Sequence, residues 1–88
     1  MDYSEEEKFK ELLNNEYDWP ARYTFKFIVP SGKEQKVKEL FKKEIEISEK
    51  SSSGGKYIST TIYTTMDSAD DIITVYKQAS EISGIISL

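Results

Sequence analysis

The stretch Tyr57-Ile58-Ser59-Thr60-Thr61-Ile62-Tyr63-Thr64-Thr65-Met66-Asp67-Ser68-Ala69-Asp70-Asp71-Ile72-Ile73-Thr74-Val75-Tyr76 decides the fold. Its first half is β-rich: Tyr57, Ser59, Thr61, Tyr63 and Thr65 fall on one side, and Ile58, Thr60, Ile62, Thr64 and Met66 on the other. The Ile-bearing side is expected to face the core. Asp67-Ser68 then starts a helix, with Asp70 and Asp71 in the first turn near the positive end of its dipole. Ala69, Ile72, Ile73, Tyr76 and Ala79 supply the apolar stripe. Ser83-Gly84 ends this part, and Ile85-Ile86-Ser87-Leu88 reads as a short terminal strand.

The preceding part has the same layout. Arg22 to Pro30 alternates, with Tyr23, Phe25, Phe27 and Val29 on one side and Thr24, Lys26 and Ile28 on the other. Ser31, followed by Glu34, has the capping-box spacing, and Val37, Leu40 and Phe41 predict an amphipathic helix reaching Lys43. Glu44-Ile45-Glu46-Ile47-Ser48 alternates strictly and predicts a half-buried strand. Ser51-Ser52-Ser53-Gly54-Gly55 is the connecting loop, its two glycines expected to supply positive φ.

The element order is therefore β-α-β-β-α-β. That is the split βαβ pattern of an α+β, ferredoxin-like βαββαβ sandwich, a four-stranded antiparallel sheet with two helices on one face. Right-handed crossovers put the first and third strands in the centre and the second and fourth at the edges. A short N-terminal helix precedes this body. Ser4-Glu5-Glu6-Glu7 has capping-box spacing, and Phe9, Leu12 and Leu13 predict a helix over about 5–14, ended by Asn14-Asn15. Trp19-Pro20 disfavours helix and marks an extended entry to the body.

The chain has 88 residues and a formal charge of −4, with no Cys and no His. Residues 1–18 hold seven acids against Lys8 and Lys10, giving −5, while residues 19–88 hold nine acids and ten bases, giving +1. The expected organisation is an acidic arm over 1–18 and one domain over 19–88. Without Cys there is no disulfide, thiolate nucleophile or Cys-type zinc site; without His there is no His-dependent triad or imidazole base. Asp67, Asp70 and Asp71 lack the spacing and glycine of a calcium loop and read as helix-start charge. No catalytic residue, metal ligand or cofactor is expected, and the chain reads as non-enzymatic. No apolar run approaches a membrane span, and the start lacks a secretory pattern, so a cytoplasmic location is expected.

Trp19-Pro20 before Tyr23-Thr24-Phe25-Lys26, the run Ser52-Ser53-Gly54-Gly55-Lys56-Tyr57-Ile58-Ser59 and the closing Ile85-Ile86-Ser87-Leu88 resemble the YbeD-like family of small bacterial proteins over about 16–88. That family is similar in fold to ACT-type regulatory domains, which bind amino acids in metabolic enzymes. The resemblance implies a ligand near the loop after the first strand, at a domain interface.

Two loops are candidate ligand or anion contacts: Ser31 and Gly32 after the first strand, and Ser53, Gly54, Gly55 and Lys56 in the hairpin. Gly55-Lys56 alone does not make a phosphate loop, because Tyr57 and a strand follow it. The uncovered sheet face is expected to carry Thr24, Lys26, Ile28, Tyr57, Ser59, Thr61, Tyr63 and Thr65, which the arm could partly cover. Its third strand lacks the basic, Phe-rich pattern of RNA-binding domains and the body is near neutral, so no nucleic acid is expected. Ile85, Ile86 and Leu88 on the edge strand, with Tyr57 and Tyr63, are candidate interface residues for a homodimer or a protein partner. The functional expectation is a small regulatory domain binding a metabolite at a loop or dimer interface; the alternative is a protein–protein adaptor without a small ligand.

Overall fold

The computed structural model describes residues 2–88. The elements are α1 (Tyr3–Glu16), β1 (Ala21–Pro30), α2 (Glu34–Lys38), β2 (Glu46–Ser51), β3 (Tyr57–Met66), α3 (Ala69–Ala79) and β4 (Ile86–Ser87). The four strands form one sheet in the order β2-β3-β1-β4, every neighbouring pair antiparallel. The first and third strands are thus central, as the crossover rule requires. β1 and β3 pair along their whole length, from Ala21 opposite Met66 to Pro30 opposite Tyr57.

Alternation on these two strands builds the core. Phe25, Phe27 and Val29 of β1 and Ile62 of β3 are fully buried, against Val37 of α2 and Ile72 of α3. Each such side chain contributes about 1.5–3 kcal/mol of burial. The Phe25 ring lies 5.2 Å from that of Phe41 and 5.3 Å from that of Tyr76, so it meets the segment after α2 and α3 together. Thr60 and Thr64 are also buried on this side, and their hydroxyls donate to the carbonyls of Phe27 (3.2 Å) and Glu44 (3.4 Å). The Ile-bearing side of β3 is therefore the core side, as its sequence predicts. α3 begins as expected: the Ser68 hydroxyl accepts from the Asp71 N–H at 3.1 Å, with Asp70 and Asp71 in the first turn.

Several boundaries differ from the expectation. α1 starts earlier, because Asp2 rather than Ser4 is its cap, accepting from the Glu5 N–H at 2.8 Å; it runs past Asn14-Asn15 to Glu16. Leu13 is buried, the Phe9 ring lies 5.8 Å from that of Tyr76, Lys10 pairs with Asp70 at 3.1 Å and Glu6 pairs with Lys77. The helix therefore docks on α3 rather than over the uncovered sheet face. Asp70 holds the Lys10 ammonium above its ordinary range, first through their hydrogen bond and then through its charge.

α2 ends at Lys38 rather than Lys43, since the chain must turn for Phe41 to reach Phe25. Its cap position is Lys33, with no side-chain cap: the Ser31 hydroxyl is spent on the Gly55 carbonyl, while the Glu34 carboxylate accepts from the Gly32 N–H at 2.9 Å. β2 starts at Glu46 rather than Glu44 and continues to Ser51, because the long β3 offers it partners as far as Ile58. Of the hairpin glycines, Gly55 has positive φ (+70°) and Gly54 does not. β4 is limited to two residues. It is entered through Gly84 at φ +81°, where a Cβ would lie 2.8 Å from Pro30 Cγ, so both conformation and space require glycine.

Candidate functional site

The two candidate loops meet. The Ser31 N–H donates to the Lys56 carbonyl at 2.9 Å and the Ser31 hydroxyl donates to the Gly55 carbonyl, so the exit of β1 is tied to the β2–β3 hairpin. Two of the amides expected to contact an anion are also engaged. The Gly32 N–H is taken by Glu34 and the Gly55 N–H by the Ser52 carbonyl (2.9 Å). Ser31, Gly32 and Gly55 are thus engaged within the tied loops themselves.

What the tie does is hold the hairpin at one end of the open sheet face. On that face the register lines up Ile86, Ile28, Ser59 and Lys50 across the four strands, with Leu88, Lys26, Thr61 and Ser48 in the next row. None of the three helices packs there, and Tyr57 (45%) and Tyr63 (40%) are exposed on it. A cavity of ≈ 280 Å³ lies beside the hairpin, lined by Ile28, Lys50, Ser51, Ser52, Ser53, Tyr57 and Ser59. Lys50 is its one charged lining residue and has no ion-pair partner among the described residues, whereas Arg22 on the same face reaches Glu46 at 3.8 Å. The Ser52 hydroxyl accepts from the Tyr57 N–H at 3.3 Å, which leaves its proton free to donate outward. Of the expected contacts, Ser53 lines this cavity; Ser31 and Gly55 brace it; Gly32, Gly54 and Lys56 are not part of its lining.

A larger cleft, ≈ 460 Å³, lies where α1, β1 and α3 meet the β4 end and is lined by Phe9, Tyr23, Tyr76, Ser87 and Leu88. The Tyr23 and Tyr76 hydroxyls lie 3.1 Å apart. Burial, and then the hydrogen bond to Tyr23, hold the Tyr76 phenol above the ordinary tyrosine range. Among the described residues no charged side chain lines this cleft, and the Tyr23 and Tyr76 hydroxyls bond each other. The sequence reading missed it, because Phe9 belongs to the arm and Tyr76 was assigned wholly to the core; Tyr76 is half-buried.

Ile86 (50%) and Leu88 (64%) are exposed at the β4 edge, and Ile85 is half-buried. β4 pairs with β1 only at Phe27 and Ile28, with the Leu88 N–H adding a bond to the Lys26 carbonyl at 2.9 Å. Because strand groups alternate, the Thr24 and Arg22 backbone groups point to this same edge, beyond the end of β4. Among the described residues no group of acids is placed to hold a metal ion, and no helix is long and apolar enough to cross a membrane. Asp67 instead lies 3.8 Å from Lys43.

A family model described as a protein of unknown function (DUF493) matches residues 14–88, and the chain belongs to that family. This agrees with the resemblance carried by Trp19-Pro20, the Ser52–Ser59 run and the closing strand. No curated protein and no solved structure matches the chain.

Proposed function

We propose that this member of the DUF493 family is a non-enzymatic, ferredoxin-like regulatory domain that holds a small anionic molecule against its open sheet face beside the hairpin. The observation that carries the reading is Lys50: an exposed ammonium without an ion-pair partner among the described residues, beside Ile28 and Tyr57 on the uncovered face. The strand order β2-β3-β1-β4 and the βαββαβ succession after α1 support the ferredoxin-like assignment. The sequence resemblance implies a ligand near the loop after the first strand, as in ACT-type domains, and that supports the same end of the sheet. The cavity lining holds neither carboxylate nor His, which favours binding over acid–base chemistry. A chain without cysteine suits a reducing cytoplasm.

Native mass spectrometry of protein purified without denaturation tests this. The parent chain is expected to retain a small-molecule adduct that Lys50→Glu loses. A bare chain in both samples, or an adduct indifferent to Lys50, contradicts it.

A second reading, a homodimer or adaptor, is favoured by the shortness of β4 beside β1. An added strand would take up the Arg22 and Thr24 backbone. Light scattering of the parent and of Thr24→Pro tests it: Pro removes an edge donor without touching the β1–β3 ladder, so a dimer formed this way becomes a monomer. A parent chain that is monomeric at high concentration rejects it.

A further inference from the structure

We infer that the ligand of the open-face site is an aromatic oxyanion, a flat apolar ring bearing one phosphate or carboxylate group, rather than an inorganic anion or a neutral apolar molecule. The inference rests on the open-face site proposed above and names its chemistry.

The apolar and the polar residues lining the cavity ask for different things. Ile28 and Tyr57 are diagonal neighbours on β1 and β3, and the other uncharged residues lining the cavity are serines. Tyr57 is 45% exposed, so its ring offers a stacking surface. The polar lining includes Lys50 and Ser52, and the Ser52 hydroxyl proton is free to donate because its oxygen already accepts from the Tyr57 N–H at 3.3 Å. A lone exposed ion pair changes affinity by about fivefold at most, so Lys50 alone does not retain inorganic phosphate. A ring alone gains only the apolar contact. One molecule carrying both groups gains from the apolar and the polar lining together, and the ≈ 280 Å³ cavity has room for a ring and its oxyanion. The larger cleft at Phe9 and Tyr76 is not lined by a charged side chain among the described residues, so it favours the ring without the oxyanion.

An amide-resolved NMR titration of the full chain with phenyl phosphate, inorganic phosphate and benzyl alcohol decides the matter. Phenyl phosphate is expected to shift the Ile28, Lys50, Ser52 and Tyr57 amides saturably. It should bind roughly tenfold or more tighter than either comparison compound. Lys50→Gln, an exposed substitution, should weaken phenyl phosphate by about fivefold and leave benzyl alcohol unchanged. Inorganic phosphate acting on the same amides with equal affinity overturns the aromatic class while the anion site stands. Benzyl alcohol equal to phenyl phosphate, or shifts centred on Phe9 and Tyr76, overturns the inference as well. If no anion perturbs the open face, the inference and the proposed site fall together.

Discussion

The Ser31 N–H donates to the Lys56 carbonyl at 2.9 Å, and the Ser31 hydroxyl donates to the neighbouring Gly55 carbonyl. Residues 25 positions apart thereby fix the hairpin against the end of β1, beside the cavity at Lys50 and Tyr57. Ser31→Ala removes the hydroxyl bond and keeps the backbone one. It should lower stability by only about 1 kcal/mol, because the bond is exposed. Amide exchange at Gly55 and Tyr57 should accelerate while β1–β3 amides stay protected. Unchanged exchange in the hairpin would show that Ser31 does not brace it.

Gly84→Ala should be more costly than its exposed position suggests. It forces a side chain into φ +81° and places a Cβ 2.8 Å from Pro30 Cγ. A loss of roughly 1–3 kcal/mol is expected, with reduced protection of the Leu88 amide that docks β4 on Lys26. A melting temperature equal to the parent's would contradict the close approach.

The Tyr23–Tyr76 hydroxyl pair makes stability depend on alkaline pH. Burial raises the Tyr76 phenol above its ordinary value of 10.0. Its proton is therefore held more tightly folded than unfolded, so this contribution is complete below pH 10 and declines as pH climbs beyond it. Spectrophotometric titration at the phenolate band should show one late-ionising tyrosine that Tyr76→Phe removes. Ionisation of every tyrosine together near pH 10 would refute the assignment.

Core and surface positions on the same sequence periods should separate sharply. Phe25 is fully buried among the rings of Tyr23, Phe27, Phe41 and Tyr76, and Phe25→Ala should cost about 3–5 kcal/mol. Leu12 is 55% exposed, and Leu12→Ser should stay within about 0.5 kcal/mol. Chemical denaturation measures both, and a large loss at Leu12 would mean that α1 docks by a different face.

The strands and the core were legible because period-2 alternation is a local signal. Phe25, Phe27, Val29 and Ile62 could be assigned inward without knowing what covers them. The Ser68 cap was legible for the same reason. What local pattern could not reveal is how a side chain is spent when two partners compete. Ser31 has the spacing of a cap, yet its hydroxyl goes to Gly55, a residue brought near only by the folded hairpin. α2 stopped short of the amphipathic pattern because Phe41 serves Phe25 rather than the helix. The candidate site is half visible in the sequence: Ser53 and Tyr57 carry candidate roles there, but Lys50 falls between the expected strand and the loop and carries none. Its significance comes from the register that sets it opposite Ser59 and in one row with Ile28.

The most direct test of the open-face site is a crystal structure of the chain grown with phenyl phosphate. The account predicts the ring against Ile28 and Tyr57, with the phosphate within hydrogen-bond reach of Lys50 Nζ and Ser52 Oγ. A ring seated between Phe9 and Tyr76, or density for the compound only where neighbouring molecules touch, would contradict it.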